Sequence, residues 1–213
     1  MIILLIGIVV SYIVGSIPTA YIFGKLLKGI DIREHGSGNV GATNVFRVLG
    51  KWPGIVVLLL DIYKGFWAVG IVSEILGMTS VWQRVLMSVA VVAGHNYTVF
   101  LDFKGGKGVA TSLGALLGLA LRIPSIGPVL LITLGVFLLI FLSSRIVSLS
   151  SICAAAALPL MTFILPQPVE IRALGLLIGG FVIFRHRPNI QRLLTGSEPR
   201  VPLFGASRKN PKK

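Results

Sequence analysis

Long apolar runs separated by short polar connections constrain this chain more than any other feature. Seven are read, at roughly 2–27, 53–77, 79–100, 109–121, 124–143, 146–165 and 168–184. Most hold the ~20 residues an α-helix needs to cross about 30 Å of hydrocarbon. The expected fold is an all-α, polytopic membrane bundle of about seven spanning helices. The run from Val109 to Leu121 is short, and is read either as a span or as a tilted, half-buried helix. The first run has no positively charged start and continues past Pro18 to Leu27, which marks a retained helix and not a cleaved signal peptide. Charged residues are only 13% of the chain and mean hydropathy is +0.90, against about 25% charged in soluble domains. A length of 213 residues suits one bundle with no appended soluble module, read as a single domain over 1–198 followed by a basic, disordered tail over 199–213.

The formal charge of +13 admits nucleic acid, anionic lipid or phosphorylated substrates as partners, so its placement decides. If all seven runs cross, one side of the membrane receives sixteen Lys and Arg and the other three, Arg84, Arg122 and Arg172, with Lys64 inside the second run. The positive-inside tendency then puts the N-terminus outside and the C-terminus in the cytoplasm. Most of the excess charge is thereby explained by topology and by attraction to anionic lipid, and nothing in it argues for nucleic-acid binding. The one cysteine, Cys153, lies in an apolar run and is read as packing.

Topology does not explain the small polar residues and glycines that accompany the basic ones on the cytoplasmic side. In Gly36-Ser37-Gly38-Asn39-Val40-Gly41-Ala42-Thr43-Asn44-Val45-Phe46-Arg47, three glycines within six residues allow successive N–H groups to face one concavity, the kind of nest that binds phosphate. Ser37, Asn39, Thr43 and Asn44 add neutral donors and Arg47 a bidentate fork; the plainer alternative is a polar turn between helices. A second cluster, Gly94-His95-Asn96-Tyr97-Thr98, is followed by Lys104-Gly105-Gly106-Lys107-Gly108 just before an apolar helix, where amides, a helix N-terminus and an ammonium can meet on an anion. It is not a Walker loop, because Leu101 stands where the first glycine belongs. The third cluster, Arg185-His186-Arg187-Pro188-Asn189, closes the last run; basic residues are expected there, whereas His186 and Asn189 are not.

Familiar catalytic arrangements are missing from the sequence. There is no Gly-x-Ser-x-Gly elbow and no His-Glu-x-x-His. A histidine followed by aspartate five places on, as in one group of glycerolipid acyltransferases, also fails at His35, His95 and His186. Few carboxylates lie near the clusters, so metal ligation is poorly supported. Asp61 and Lys64, one turn apart within the second run, are read as a structural ion pair. What remains is a set of cations, amides and glycines where membrane meets cytoplasm. It suits two phosphate-bearing substrates, one with an apolar tail, in a reaction driven by positioning and charge stabilisation.

Gly15-Ser16-Ile17-Pro18-Thr19-Ala20, the run Gly36 to Asn44, Gly94-His95-Asn96 with Phe103 to Gly108, and His186-Arg187-Pro188-Asn189-Ile190 together resemble the bacterial acyl-phosphate:glycerol-3-phosphate acyltransferases of the PlsY type. The resemblance extends from Ile2 to about Glu198, in order and with the expected separations; the basic extension beyond lies outside it. It implies a seven-helix enzyme of the cell membrane, its site facing the cytoplasm, that moves a fatty acyl group from acyl phosphate to the 1-hydroxyl of glycerol 3-phosphate. Carried residue by residue, it implies that Ser37, Arg47, Lys107, His186 and Asn189 hold the two phosphates. Asn39, Thr43, Asn44, Lys104 and His95 support or line the site, and Gly36, Gly38, Asn96, Gly105 and Gly106 contribute to substrate binding. No metal, nucleotide or obligate protein partner is implied, and the substrate's own phosphate is the expected proton acceptor. The rival readings are a transporter for an organic anion, which calls for polar residues along a path to both sides, and a non-catalytic lipid-binding scaffold.

Overall fold

The computed structural model describes residues 1–201, and every regular element among them is helical. Helix α1 (Ile2–Ser16) and helix α2 (Thr19–Lys28) divide the first apolar run. Pro18 causes the break: it has no N–H to continue the ladder, and the Thr19 amide turns back to the Ile17 carbonyl at 3.0 Å. After Gly29 the chain crosses one end of the bundle through a 3-10 turn, Ile32–Glu34, to the short α3 (Ala42–Val48). Helix α4 (Lys51–Phe66) continues through a π-helical stretch, Trp67–Val72, and a last turn, Ser73–Ile75. Helix α5 (Val81–Asn96) begins with a capping box in which the Ser80 amide donates to Gln83 Oε1 at 3.1 Å. There follow α6 (Val109–Ala120), α7 (Ile126–Ser144), α8 (Val147–Ile164), α9 (Val169–Arg185) and α10 (Arg187–Leu194).

Among the described residues, five stretches are long and apolar enough to cross a membrane: Ile2–Lys28, Lys51–Ile75, Val81–Leu101, Ile126–Ser144 and Val147–Ile164. Helix α6, with 12 residues, reaches only ~18 Å, and α9, with 17, about 25 Å. The surface of α6 explains its shortness. On α7 the large side chains Leu131, Leu139 and Leu142 face outward at 73%, 69% and 65% exposure, as suits contact with lipid tails. On α6, Ala115, Leu116 and Leu119 are buried and join Ala68, Ile126, Leu174 and Ile178 in the main core. A helix enclosed by protein does not need to match the thickness of the bilayer.

Glycines set the crossings. A Cβ on Gly114 would stand 1.9 Å from the Ile62 carbonyl oxygen, and one on Gly94 would stand 2.1 Å from that of Tyr12. The backbones of α6 and α4, and of α5 and α1, therefore touch directly, the small-residue packing used where lipid gives no hydrophobic drive between helices. The first crossing fixes the start of α6, and with it Lys107, against the α4 turn that carries Asp61. At the opposite end of the bundle Glu74 binds Arg84 at 2.7 Å and Arg122 at 2.5 Å, which accounts for two of the basic residues on that side.

Candidate active site

All three polar clusters come together at one end of the bundle. In the first, Gly36 and Gly38 adopt φ of +63° and +69°, a region that a side chain disfavours. The loop they form closes over Asn44, whose Oδ1 accepts the Ser37 amide at 2.8 Å and whose Nδ2 donates to the carbonyls of His35 (2.9 Å) and Ile32 (3.1 Å). The Gly38 amide donates to the His35 carbonyl. The amides of Ser37 and Gly38 are thus spent on folding the loop. These two amides are not free for the nest that the glycine spacing suggests, and the loop brings the side chains of Ser37 and Asn39 to the cavity.

The second cluster lies flat on the end of α5. The Gly105 amide donates to the Asn96 carbonyl (3.1 Å), and the Gly106 amide to that of His95 (3.0 Å). Arg185 donates to both glycine carbonyls, at 3.2 and 2.9 Å. These amides also do not point at a ligand. Glycine is needed there for close approach: a Cβ on Gly106 would meet His95 Nε2 at 2.3 Å. Lys107 is left to project, while Gly108, at φ +79°, turns the chain into α6 over Asn96. Asn96 is fully buried and lines neither cavity described below, and its amide atoms have no hydrogen-bond partner among the described residues.

The third cluster supplies His186 and Asn189. His186 Nδ1 is 2.7 Å from the Val182 carbonyl oxygen. That oxygen only accepts, so Nδ1 carries the proton and Nε2 presents a lone pair. Burial, and then the nearby charge of Lys107, hold this imidazole down at a pKa of about 4, so it is neutral at pH 7. Asn189 accepts from the Lys107 ammonium through Oδ1. Burial likewise pulls Lys107 down to about 8, with Glu198 opposing and Arg192, Arg47 and Arg185 reinforcing the shift.

The loops and helices enclose one cavity of about 350 Å³. Its mouth is polar, lined by Ser37, Asn39, Thr43, Asn44, Arg47, His95, Lys107, His186 and Asn189. Its interior is apolar, running between α6, α7, α8 and α9 past Leu113, Leu116, Leu130, Leu134, Phe137, Ala154 and Leu158. A second, open basin of about 560 Å³ adjoins the mouth; it shares Ser37, Asn39, Lys107 and Asn189 and adds Gly38, Lys104 and Gly105 with Arg33, Arg185, Arg187 and Arg192. Gly36 and Gly106 line neither space. The arrangement separates a cationic compartment for anions from an oily one for a chain, with the four side chains of Ser37, Asn39, Lys107 and Asn189 at the junction.

Several contributors were not read from the sequence as site residues. Asp61 reaches the cavity wall, where its Oδ1 accepts from Thr19 Oγ1 (2.7 Å) and Lys64 Nζ (2.8 Å) and lies 3.6 Å from His95 Nδ1. The ion pair read from the sequence is therefore formed, and it also braces His95. Ser148 and Glu198 line the mouth as well. Glu198 left a usable signal: it is the one acid in a strongly basic C-terminal segment. Val201 is bonded at 2.8 Å to the Arg145 carbonyl, and most of the basic tail, residues 202–213, lies outside the described residues.

Comparison with known proteins agrees with this geometry. The family model described as glycerol-3-phosphate acyltransferase matches residues 5–196. A glycerol-3-phosphate acyltransferase of Thermosynechococcus vestitus is 47% identical over 200 residues, covering 90% of this chain and 92% of the relative. That of Synechocystis is 47% identical over 203 residues, covering 91% and 89%. Crystal structures of PlsY (YgiH), an integral membrane glycerol 3-phosphate acyltransferase, superpose with TM-scores of 0.84 for the glycerol 3-phosphate form and 0.81 for the lysophosphatidic acid form. These are 44% and 43% identical to this chain and cover 93% of it, and 96% and 95% of their own lengths. The chain is an integral membrane protein and belongs to the PlsY-type glycerol-3-phosphate acyltransferase family.

Proposed function

We propose that this protein transfers a fatty acyl group from acyl phosphate to the 1-hydroxyl of glycerol 3-phosphate, giving lysophosphatidic acid and inorganic phosphate at the cytoplasmic face of the cell membrane. The observation that carries the reading is the single cavity whose mouth holds Arg47, Lys107, Ser37 and Asn189 and whose interior is lined by leucines. The chain of the donor lies among Leu113, Leu116, Leu134 and Phe137, and its phosphate comes to rest at the polar junction. Glycerol 3-phosphate enters through the cationic basin. The bundle crosses seven times, with α6 and α9 as the two shorter crossings; the sixteen-to-three division of Lys and Arg supports an external N-terminus.

In the reaction the glycerol hydroxyl oxygen attacks the acyl carbon, the bond from that carbon to the phosphate oxygen breaks, and the hydroxyl proton passes to the departing phosphate. His186 presents Nε2 as an acceptor that orients the hydroxyl. At a pKa of about 4 it is a poor final holder of the proton, whereas the departing inorganic phosphate, at least as basic as a phosphate monoester with its second pKa of about 6, is a better one. Arg47 and Lys107 stabilise the charge that grows on the leaving phosphate. Because the donor arrives already activated, no metal, nucleotide or other cofactor takes part.

The test mixes purified protein with glycerol 3-phosphate and either palmitoyl phosphate or palmitoyl-CoA. Phosphate release matched by lysophosphatidic acid is expected with the first donor alone. Turnover with the CoA ester in its place would overturn the donor, and silence with both would overturn the reading.

A further inference from the structure

Beyond α10 the chain reverses at Gly196, which takes φ +68°, and the Ser197 amide caps back onto the Arg192 carbonyl at 2.8 Å. This turn carries Glu198 into the wall of the cavity, where it is only 8% exposed. Its Oε1 accepts from Ser148 Oγ (2.7 Å) and Asn189 Nδ2 (2.6 Å), and its Oε2 from Arg192 Nε (2.6 Å). A carboxylate only accepts and an ammonium only donates. Asn189, held between Glu198 and Lys107, therefore has one possible orientation, with its NH₂ on the carboxylate and its Oδ1 on the ammonium.

We propose that Glu198 is a positioning residue for acyl transfer, its buried carboxylate fixing the Asn189 amide and, through it, the place of the Lys107 ammonium at the mouth of the cavity. The inference rests on the reading of that mouth as the phosphate-binding part of the site. Charge gives Glu198 a second effect. The groups facing Lys107 are Arg47 from α3, Arg185 from α9, and the neutral His186 and Arg192 at α10; among the groups acting on Lys107, Glu198 alone is an anion. Its removal leaves a cluster of cations in a partly buried space, where the amine that is most easily deprotonated gives up its proton.

The test compares wild type with Glu198→Gln, which keeps the shape and one acceptor oxygen but removes the charge, and with Ser148→Ala, which removes one donor and keeps the charge. Lys107 is titrated by pH-dependent labelling with an amine-reactive reagent and mass spectrometry, which needs no turnover. Its midpoint, expected near 8 in wild type, is expected to fall by about one pH unit in Glu198→Gln and to stay in place in Ser148→Ala. The alkaline limb of kcat/KM is expected to move with it, and kcat to drop at least 10-fold. Thermal midpoints measured in detergent separate this from loss of folding. An unchanged Lys107 midpoint in a folded Glu198→Gln protein overturns the proposal. A shifted midpoint in a protein that fails to acylate glycerol 3-phosphate, in wild type as well, keeps the Glu198–Lys107 link and overturns the assigned reaction.

Discussion

The Lys107 ammonium donates to Oδ1 of Asn189, tying the turn before α6 to the first turn of α10 across 82 residues of sequence. One is a donor only and the other is set as an acceptor, so the pair is held at the junction of the basin and the apolar cavity before any substrate arrives. Preorganised charge of this kind is worth ~2.7–4 kcal/mol where it meets charge growing in a transition state. Lys107→Ala and Arg47→Ala are each expected to lower kcat/KM by at least 10²-fold with the thermal midpoint unchanged. Arg47→Lys is expected to recover only part, because an ammonium cannot make the two parallel bonds of a guanidinium. Full activity in both alanine variants would remove this part of the site.

The pH dependence follows from the same residue. In its proposed role Lys107 binds phosphate as the cation, and burial has brought its pKa down to about 8. In the free enzyme the useful form is complete well below that value and is lost as pH rises through it. A plot of kcat/KM against pH is therefore expected to fall above about 8. The limb in kcat is expected at higher pH, because a bound phosphate dianion favours the ammonium. His186, held at about 4, adds no acid limb between pH 5 and 7. Replacing His186 by Ala is expected to reduce kcat by ~10²-fold while leaving the alkaline limb in place; an alkaline limb that vanished with His186 would make that residue, and not Lys107, the group needed in its protonated form.

How much of this was legible in the sequence differs by element. The apolar runs showed where helices lie, because burial in lipid is written in composition. The break at Pro18 had a local cause, a missing N–H, but continuity of hydropathy across it hid the turn. The glycines of the first two clusters were visible and their purpose was not. Gly106 and Gly114 are glycines because another chain segment passes within contact distance, and that is a fact of tertiary packing. Ser148 and Glu198 are 50 residues apart and share no motif. Only the return of the chain after Gly196 brings them together.

The close crossings give a stability prediction. Gly114→Ala places a methyl against the Ile62 carbonyl, where nothing flexible can yield, and is expected to cost about 1–3 kcal/mol. Gly135→Ala, on α7, meets nothing within 4 Å and is expected to be neutral or stabilising by up to about 1 kcal/mol. Thermal unfolding in one detergent distinguishes the two; equal midpoints would mean that the α4–α6 contact is not tight.

The buried ion pair gives another. Asp61 and Lys64 are 2.8 Å apart and almost entirely enclosed, with Lys64 also donating to the Ile17 carbonyl and Thr19 to Asp61. Asp61→Ala strands an ammonium in the interior and is expected to destabilise the protein by about 3–5 kcal/mol. Removing both charges, as in Asp61→Leu with Lys64→Met, is expected to recover most of that loss, since two desolvation costs disappear together. Activity is not expected to return with stability, because His95 loses the carboxylate 3.6 Å from its Nδ1. A double variant as unstable as the single one would mean that packing, and not charge, is what the pair supplies.

On the proposed reading, the apolar end of the cavity sets which acyl chains fit. Ala154 lies on its wall, six residues beyond Ser148 and so ~9 Å further along α8 from the polar mouth. Its small side chain, 9% exposed, leaves the passage open between Leu113 and Leu116 on one side and Leu158 and Ile178 on the other. Ala154→Leu adds three carbon atoms at that depth. A chain that ends above it keeps its contacts, while a longer one must leave methylenes unseated, each worth roughly 0.8 kcal/mol. The variant is therefore expected to lose at least 10-fold in kcat/KM with palmitoyl phosphate and little with a short-chain acyl phosphate. The KM for glycerol 3-phosphate should be unchanged, since that substrate is proposed to enter through the basin. A uniform loss across donors would indicate a distorted mouth, and no loss with either would place the acyl chain elsewhere, along the lipid-facing surface of α7.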